Sequence, residues 1–486
     1  MKTLFDQEKT RLLAQGHKMV PVILETQIPQ YTPSEAAMRL GTSQKIFLLE
    51  SADCGNDSGR FSYLGIEPEM TLRILDGSAV LTTAKGERTE ECADPAALID
   101  RILTENATPD IPGLPPFTGG FAGAFAYDFY KYTETTLQMN NPNPDSLNDA
   151  DLMFFRTIAA FDHQMEKLYL ITNIPARTEE ADYLEAVARL SEFALLLDHS
   201  QTEEIPKTIT GEIDNGADIE AYGQKVEKAK EYIRAGDIFQ VVPSNRIRIE
   251  AGSGCSLFPV YERLRAENPS PYMYYLNFGD FEAAGSSPET LIRKTGTCLL
   301  TVPIAGTRPR GADEETDRKL QNDLLSDPKE LAEHNMLVDL ARNDIGRIAK
   351  TGSVSVKDYL HIRRFKRVMH LCTTVTGTIK PELTAMRALC SMLPAGTLSG
   401  APKIRACEII EELETEKRGL YGGCAGYIGT NGNADLCIAI RTAFRKDRSI
   451  IVQSGGGVVA DSDPNSEYME TRHKAGAVLE ALEEAV

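Results

Sequence analysis

Residues 421–453 read YGGCAGYIGTNGNADLCIAIRTAFRKDRSIIVQ, a stretch of three short apolar segments separated by turns. We predict strands at 421–428, 434–441 and 449–453, because a short apolar run bounded by turn-forming residues is typical of a buried strand. The regular alternation of strands and helices that marks a parallel sheet is absent. The stretch therefore favours antiparallel strands.

Helices and strands are mixed irregularly over the rest of the C-terminal half. A helix is predicted from Tyr222 to Gly236, where apolar residues recur at helical spacing up to a glycine that suits a C-terminal cap. A buried strand is predicted at 238–242. Further helices are predicted at 257–266, 327–343, 383–393, 402–415 and 465–484, and further strands at 272–278 and 298–304. This mixture predicts an α+β fold with mainly antiparallel sheets.

The N-terminal part differs in pattern. Residues 18 to 198 are predicted to form short strands and turns, with helices only near 94–105 and 178–198. The stretches 110–127 and 140–149 are predicted as loops, because they are rich in Pro, Gly and Asn. Residues 199–218 are polar without apolar periodicity, and we interpret them as a linker. The predicted organisation is an N-terminal region at 1–198, the linker at 199–218 and a second domain at 219–486.

Composition limits the classes of function. The 486 residues include 52 Lys and Arg against 71 Asp and Glu, a net charge of −19 that argues against a nucleic-acid or anionic-membrane partner. The nine cysteines show no C-x-x-C spacing, which excludes a zinc ribbon or thioredoxin motif and favours reduced thiols. No signal peptide or membrane span is recognisable. We expect a soluble cytoplasmic protein, in which an anionic substrate would need a local cation.

Two glycine-rich segments do not fit nucleotide-binding loops. Gly455, Gly457 and Ala460 match G-x-G-x-x-A after an apolar strand, but the predicted helix does not begin at the loop. The segment GTLSGAPK at 396–403 lacks the spacing of a phosphate-binding loop. Both segments could still offer backbone N–H groups to a carboxylate.

Acidic residues occupy positions where a buried helix face would be apolar. Glu330 and Glu333 precede Leu337 on one helix, and Glu467 and Glu470 precede Lys474 on the last helix. Acids in a first turn also complement the helix dipole, which is a sufficient explanation for either helix alone. The two helices together favour a Mg²⁺ ion held by a few carboxylates and water.

His370 lies in the apolar segment VMHLC at 368–372, which has the pattern of a strand. A hydrogen-bonded core histidine is one interpretation of this position. A neutral imidazole that accepts a proton during catalysis is the other. The residue alone does not decide between them.

Several strings together resemble the chorismate-utilising enzymes, and among them component I of the anthranilate synthases. They are GDIFQVV at 236–242, GSSPE at 285–289, PIAGTRPRG at 303–311, EHNMLVDLARND at 333–344, GTLSGAPK at 396–403, YGG at 421–423, Arg441 and the stretch 455–470. Shorter N-terminal matches are LLES at 48–51, GRFSYLG at 59–65 and PFTGG at 116–120. The resemblance implies a two-lobed fold, with large antiparallel sheets packed as a sandwich and helices outside.

The resemblance also implies a reaction, the conversion of chorismate and ammonia to anthranilate and pyruvate. Glu289 would protonate the departing C4 hydroxyl, His370 would remove the C2 proton, and Thr397 would belong to the same catalytic group. Glu333 and Glu470 would hold Mg²⁺, with Glu330 and Glu467 nearby. The residues that would position the substrate are Gln240, Gly306, Thr307, Tyr421, Arg441, Gly455, Gly456, Gly457 and Lys474.

Two positions separate the subfamilies. Water-using relatives, the isochorismate and salicylate synthases, carry a lysine where this sequence has Gln240, and many aminodeoxychorismate synthases carry a nucleophilic lysine where it has Ala305. Both positions favour anthranilate synthase. No glutaminase nucleophile set is recognisable, so the resemblance implies a separate glutamine amidotransferase subunit that supplies ammonia.

The same family implies feedback inhibition by tryptophan, the end product of its pathway. The inhibitor pocket would use Ser51 together with Pro271, Tyr272 and Met273. Taken alone, either segment is equally well explained as the end of a strand. Two other functions stay open at this point, component I of aminodeoxychorismate synthase in folate synthesis and a non-catalytic amino-acid sensor.

Overall fold

The computed structural model describes residues 2–42, 44–51, 59–177, 179–198, 219–252 and 254–484. Within these ranges the strands β1 to β25 are, in chain order, Lys2–Thr3, Met19–Gln27, Ile46–Glu50, Phe61–Ile66, Met70–Leu75, Ser78–Thr83, Gly86–Glu91, Gly120–Phe125, Ala150–Phe155, Thr157–Asp162, Lys167–Pro175, Gln240–Val241, Ser244–Glu250, Tyr272–Asn277, Phe281–Ser287, Thr290–Thr295, Cys298–Val302, Ile304–Pro309, Ser355–Arg364, Val368–Thr378, Gly400–Ala401, Cys424–Gly429, Ala434–Ile438, Thr442–Lys446 and Ser449–Gly455.

The helices α1 to α11 are Gln7–Leu13, Pro33–Leu40, Pro95–Glu105, Glu180–Asp198, Ile219–Ala235, Phe258–Glu267, Glu314–Ser326, Pro328–Ile348, Ala385–Met392, Lys403–Leu413 and Pro464–Glu484. Short 3₁₀ helices occupy Tyr127–Tyr132 and Gly396–Leu398. The helices predicted from apolar spacing are all present, while α1, α2 and α7 were not predicted.

Two large antiparallel sheets organise the molecule, as the sequence predicts. The first has eleven strands in the order β1-β2-β11-β10-β4-β3-β14-β15-β24-β25-β13. The second has the order β18-β20-β17-β16-β23-β22-β8-β9-β5-β6-β7, and β19 pairs with β20 beside this path. The predicted α+β class is confirmed.

The sheets pack face to face with helices on their outer sides. Phe47 and Phe444 of the first sheet share one apolar cluster with Met153 and Tyr427 of the second. The outer face of the first sheet packs against α4, α6 and α11, and that of the second against α3, α8 and α9. Each sheet therefore buries both faces, which explains why its central strands are apolar throughout.

Both sheets cross the predicted domain boundary. The N-terminal strands end at β3 in the first sheet and at β8 in the second, where they pair with β14 and β22 of the C-terminal part. The predicted linker at 199–218 lies outside the described residues. The N-terminal and C-terminal regions are thus divisions of the sequence that contribute to common sheets.

Two predictions of local structure were wrong. The predicted loop at 110–127 contains β8, Gly120–Phe125, whose residues are all buried between β9 and β22. The predicted strand at 238–242 is reduced to Gln240–Val241, which pairs with Gly400–Ala401. Phe239 points outward and is 74% exposed, so the apolar run there does not mark a fully buried strand.

Two structural findings bear on the class of protein. Among the described residues, no helix combines the length and the apolar character that crossing a membrane requires. The eight cysteines in these ranges are not disulfide-bonded, and all but Cys298 are buried.

Candidate active site

His370 lies in β20 and is 5% exposed. Its Nδ1 is 2.8 Å from the carbonyl oxygen of Gly306 and 3.1 Å from Thr307 Oγ1. A carbonyl oxygen only accepts, so Nδ1 carries the hydrogen and donates it. Nε2 is left with a free lone pair, and this buried atom makes no hydrogen bond within the part of the chain described. The imidazole is thus held in one tautomer with its basic nitrogen unoccupied.

The same environment keeps His370 neutral. Burial, with smaller contributions from the charges of Arg441 and Lys474, lowers its pKa to about 4. The hydrogen bond to Gly306 opposes this shift without cancelling it. At neutral pH the ring is therefore uncharged, with Nδ1 hydrogen-bonded as in the first interpretation of the sequence and Nε2 able to accept a proton as in the second.

Glu289 lies at the tight connection between β15 and β16 and is 7% exposed. Burial raises the pKa of its carboxyl to about 8, although Thr397, a backbone group and the charges of Lys474 and Arg441 act in the opposite direction. Thr397 Oγ1 is buried close by and makes no hydrogen bond of normal geometry to any described residue. Glu289 is therefore a protonated acid at neutral pH, beside a hydroxyl that has no fixed partner.

A small cavity adjoins this acid. It has a volume of about 30 Å³, and its polar lining residues are Glu289, Thr290, Thr301, Asp344 and Thr397; apolar residues of α8, α9 and neighbouring strands and loops complete the wall. A volume of this size has room for a molecule such as water. The acid thus faces a space that can receive a small leaving group.

Arg441 connects β23 to β24 in a left-handed backbone conformation, with φ of 50°. No hydrogen bond or ion pair joins its guanidinium to any residue in the described ranges, and burial lowers its pKa. The nearest source of compensating charge is Glu289, which is itself a weak acid here. Arg441 is only partly exposed, and a largely desolvated cation without a protein partner is suited to bind an anionic group.

The three glycines at the end of β25, Gly455 to Gly457, form a segment that we call the glycine wall. A Cβ atom on Gly457 would lie 2.2 Å from Gln240 Nε2, and one on Gly455 would lie 2.8 Å from Tyr421 Oη. At Gly455 the nearest atom is the Pro243 carbonyl oxygen at 2.7 Å, so a side chain there would displace backbone, whereas at Gly457 only the flexible end of Gln240 would have to move. Lys474 Nζ donates to the Gly455 carbonyl at 3.0 Å. The structure therefore brings together Gln240, Tyr421, Gly455, Gly457 and Lys474, all of which were predicted to position the substrate.

Four glutamates come near one another from two helices, namely Glu330 and Glu333 of α8 and Glu467 and Glu470 of α11. Burial first, and then the charges of neighbouring glutamates, raise the pKa of Glu333 on α8 and of Glu467 on α11. Glu470 contributes to both shifts and lies 2.7 Å from Lys474 Nζ. Glu467 Oε1 accepts from Ser462 at 2.6 Å, while its buried Oε2 makes no hydrogen bond to a described residue.

This arrangement fits a cation with few protein ligands. Among the described residues no group of three or more His, Cys, Asp or Glu is placed to hold a metal ion by itself. Mg²⁺ commonly takes one or two carboxylates and completes its shell with water and substrate. Glu333 and Glu470, whose mutual repulsion a cation would relieve, are consistent with that type of site.

A second, larger cavity lies between the sheets where β3 meets β14. Its volume is about 280 Å³, and the four residues predicted for an inhibitor site line it, namely Ser51, Pro271, Tyr272 and Met273. The register Met273↔Glu50 brings the two segments together. Ser51 Oγ is buried and makes no hydrogen bond within the described ranges. The geometry therefore assembles one pocket from segments more than two hundred residues apart.

Sequence reasoning missed two polar residues of this cavity. Arg293 pairs with Asp435 at 2.7 Å, and both line the cavity. Tyr272 Oη is 2.8 Å from Asp435 and 2.9 Å from Thr290 Oγ1, the residue that follows Glu289. Asp435 and Arg293 looked like ordinary strand residues, since they alternate with apolar ones. The hydroxyl of Tyr272 thus connects the cavity wall to Thr290, the first residue of β16, which directly follows the buried acid Glu289.

Known proteins are similar to this chain over most of its length. The chorismate binding enzyme family matches residues 44–480. The chain is 43% identical to anthranilate synthase component 1 of Pseudomonas aeruginosa, over 98% of both chains. It is 42% identical to that of Acetivibrio thermocellus, again over 98% of both chains.

Solved structures give the same result. Anthranilate synthase component I from Streptococcus pneumoniae superposes with a TM-score of 0.77 and 36% identity, covering 88% of this chain and 93% of that chain. The menaquinone-specific isochorismate synthase of Escherichia coli, at 19% identity and a TM-score of 0.70 over 97% of both chains, shares the fold. With a family match over most of its length, the chain belongs to the chorismate binding enzymes.

Proposed function

We propose that the chain converts chorismate and ammonia to anthranilate and pyruvate, as component I of an anthranilate synthase in tryptophan biosynthesis. One observation carries the proposal. Two buried groups of complementary proton state, Glu289 with a pKa of about 8 and His370 with a pKa of about 4, lie within the field of the unpaired Arg441. An acid and a base separated in this way are the pair that a two-step substitution and elimination needs.

The first step is a substitution on the ring. Ammonia bonds to C2, the ring double bonds shift, and the C4–O bond breaks as Glu289 gives its proton to the hydroxyl, which leaves as water. The added nitrogen then releases one proton to solvent and becomes a neutral amine. The product is aminodeoxyisochorismate. The cavity of about 30 Å³ beside Glu289 has room for the water that is released.

The second step is an elimination that makes the ring aromatic. His370 Nε2 takes the C2 proton, the C3–O bond breaks, and enolpyruvate leaves and takes up a proton to become pyruvate. The fixed Nδ1–H bond to Gly306 supports this assignment, because it aims the basic nitrogen away from the backbone. The carboxylates of the substrate would be held by Arg441, Lys474 and the backbone of 455–457.

Mg²⁺ would be held by Glu333 and Glu470, with Glu330 and Glu467 beside them. When bound, the ion would neutralise the ring carboxylate and so offset the repulsion between an anionic substrate and a chain of net charge −19. The orphaned Oε2 of Glu467 supports a further water or ion contact at this place.

Ammonia would come from a separate glutamine amidotransferase subunit. The relatives are each named as component 1 of their synthase, which supports a second component for this chain. Gln240 stands where isochorismate synthases have the lysine that activates water. Ala305 stands where many aminodeoxychorismate synthases have a lysine that attacks the ring. Both features favour free ammonia as the attacking group.

The purified chain is expected to form fluorescent anthranilate, with equal pyruvate, from chorismate, Mg²⁺ and an ammonium salt. Glutamine alone should give no product without the partner subunit. Chelation with EDTA should abolish product formation, and Mg²⁺ added in excess of the chelator should restore it. Accumulation of an aminodeoxychorismate that retains its enolpyruvyl group would instead indicate the folate enzyme. Binding of tryptophan without turnover of chorismate would indicate a sensor.

The larger cavity is proposed as the tryptophan inhibitor site. Its lining combines the charges of Arg293 and Asp435 with aromatic rings of Phe61, Tyr63 and Tyr427, which suits a zwitterionic aromatic amino acid. Ser51 Oγ, buried without a partner, is available to one of its polar groups. A ligand here would reach Glu289 through Tyr272 and Thr290, which supports inhibition from a distance.

Ser51→Phe is expected to fill part of the cavity and exclude tryptophan. The tryptophan concentration for half inhibition should rise about 5- to 150-fold, since overpacking a filled pocket costs about 1–3 kcal/mol. Turnover without tryptophan should change little, and inhibition curves measure both effects. Ser51→Ala, which removes only the hydroxyl, is the matched control and should weaken inhibition less. Unchanged sensitivity in Ser51→Phe would contradict the assignment.

A further inference from the structure

We infer that Arg418 is a positioning residue that holds three segments of the active site in register. The inference rests on the proposed function, since it concerns the same site. Arg418 lies between α10 and β22 and is 2% exposed, the largest fully buried side chain in the described ranges. It has no place in the site predicted from the sequence, and its contacts explain why it is buried.

Two of its donors bridge two site segments. Nη1 donates to the carbonyl of Leu398 at 2.7 Å, the residue after Thr397. Nη2 donates to the carbonyl of Val242, two residues after Gln240. The same two segments meet through the Val242 N–H, which donates to Ser399 at 3.0 Å. The guanidinium therefore sets the spacing between the turn that carries Thr397 and the strand that carries Gln240.

A buried carboxylate fixes the guanidinium in turn. Nε and Nη2 donate to Glu414 Oε2 and Oε1 at 2.9 and 2.6 Å. Glu414 Oε1 also accepts from the backbone N–H and the hydroxyl of Ser244, each at 2.8 Å. Burial alone would raise the pKa of Glu414, but the charge of Arg418 and its hydrogen bonds hold it below the usual range. The pair is ionic and anchored to the start of β13.

Arg418 reaches the third segment through cation–π contacts with two tyrosine rings. The guanidinium carbon lies 4.6 Å from the ring centre of Tyr127 and 5.6 Å from that of Tyr421. Tyr421 Oη in turn borders Gly455, at the entrance of the glycine wall. One planar cation thus touches the supports of Thr397, Gln240 and Tyr421 at once.

An arginine is required for this combination. Its planar fork offers five donors in fixed directions and stacks on aromatic faces, whereas a lysine offers a single compact charge. A buried ion pair is seldom the most stable choice, because removing both charges from water is costly. We explain the presence of this buried ion pair by its role in positioning the site segments, since misplacing a reacting group by about 1 Å can cost about 100-fold in rate.

Three variants test the inference in the assay with ammonia. Arg418→Lys keeps the charge and removes the fork, and the double variant Arg418→Met with Glu414→Gln removes both charges together. In both we expect kcat to fall about 100-fold, a much larger factor than any change in the KM for chorismate. The thermal midpoint of the double variant should fall less than that of Arg418→Met alone, because the double variant leaves no unpaired charge buried, although the Leu398 and Val242 carbonyls lose a donor in both.

Arg445→Lys is the matched control, because Arg445 pairs at 3.0 Å with Glu282, which is also fully buried, and contacts none of these segments. Its kcat should stay near that of the wild type. An Arg418→Lys enzyme with kcat within about twofold of the wild type would overturn the inference, as would a loss of kcat equal to that in Arg445→Lys. A wild-type chain that forms no anthranilate would instead overturn the proposed function.

Discussion

Replacement of His370 by alanine is expected to slow anthranilate formation about 1,000-fold, while chorismate is still bound and aminated. A positioned general base contributes about 10²–10⁴ to the rate of its step, and the buried Nε2 has no hydrogen-bond partner among the described residues. Because His370 acts only in the elimination, aminodeoxyisochorismate should accumulate. Chromatography of the reaction mixture separates this intermediate from anthranilate and measures both.

The hydrogen bond of His370 to Gly306 allows a sharper control. Asparagine can still donate from its side-chain nitrogen towards Gly306 but has no basic nitrogen to accept the C2 proton. His370→Asn should therefore lose as much pyruvate release as His370→Ala. If His370→Asn released pyruvate at close to the wild-type rate, the residue would act by holding the Gly306 backbone, and the assignment as base would be wrong.

Periodic helices could be predicted from the sequence because their apolar spacing is local. The helix predicted from Tyr222 is α5, Ile219–Ala235, and the one predicted at 465–484 is α11, Pro464–Glu484. Strand β8 could not be predicted in this way. A Cβ on its Gly123 would lie 2.2 Å from the Asp151 carbonyl, so the glycine marks close strand packing, although glycine usually indicates a turn.

The candidate site, like the fold, has one part that the sequence predicts and another that it does not. The motif resemblance identified Glu289 and His370, but their proton states depend on burial by residues far apart in the chain. The pairing of Tyr272 with Thr290, and that of Arg418 with Leu398 and Val242, likewise join separate strands and turns. Such contacts depend on the register of the sheets, which no local pattern in one sequence specifies.

The lysine at position 474 shows how a local pattern can be incomplete. On the sequence it completes an acidic face of the last helix, and the structure adds a bond to the Gly455 carbonyl and an ion pair with Glu470. It thereby connects the glycine wall with the proposed metal ligands. The helix face was predictable, whereas the joining of two sites through one ammonium group was not.

Glu289→Gln is expected to stop the reaction before amination, with kcat reduced by about 10²–10⁴. Glutamine has nearly the same shape but no acidic proton to give to the C4 hydroxyl. Neither aminodeoxyisochorismate nor anthranilate should then form from chorismate. When aminodeoxyisochorismate is supplied, this variant should convert it to anthranilate at close to the wild-type rate, because His370 is intact.

The pH dependence of the wild type tests the same group. Glu289 acts as an acid, so it must be protonated, and its pKa of about 8 means that activity should be present below that pH and lost as pH rises through it. His370 must be neutral, and with a pKa of about 4 it limits activity only on the acid side. The alkaline fall should appear when the wild type is assayed from chorismate and be missing when the same enzyme is assayed from supplied aminodeoxyisochorismate. A fall of equal size from both substrates would place the titrating group outside the amination step, and amination by Glu289→Gln at the wild-type rate would assign the acid to another residue.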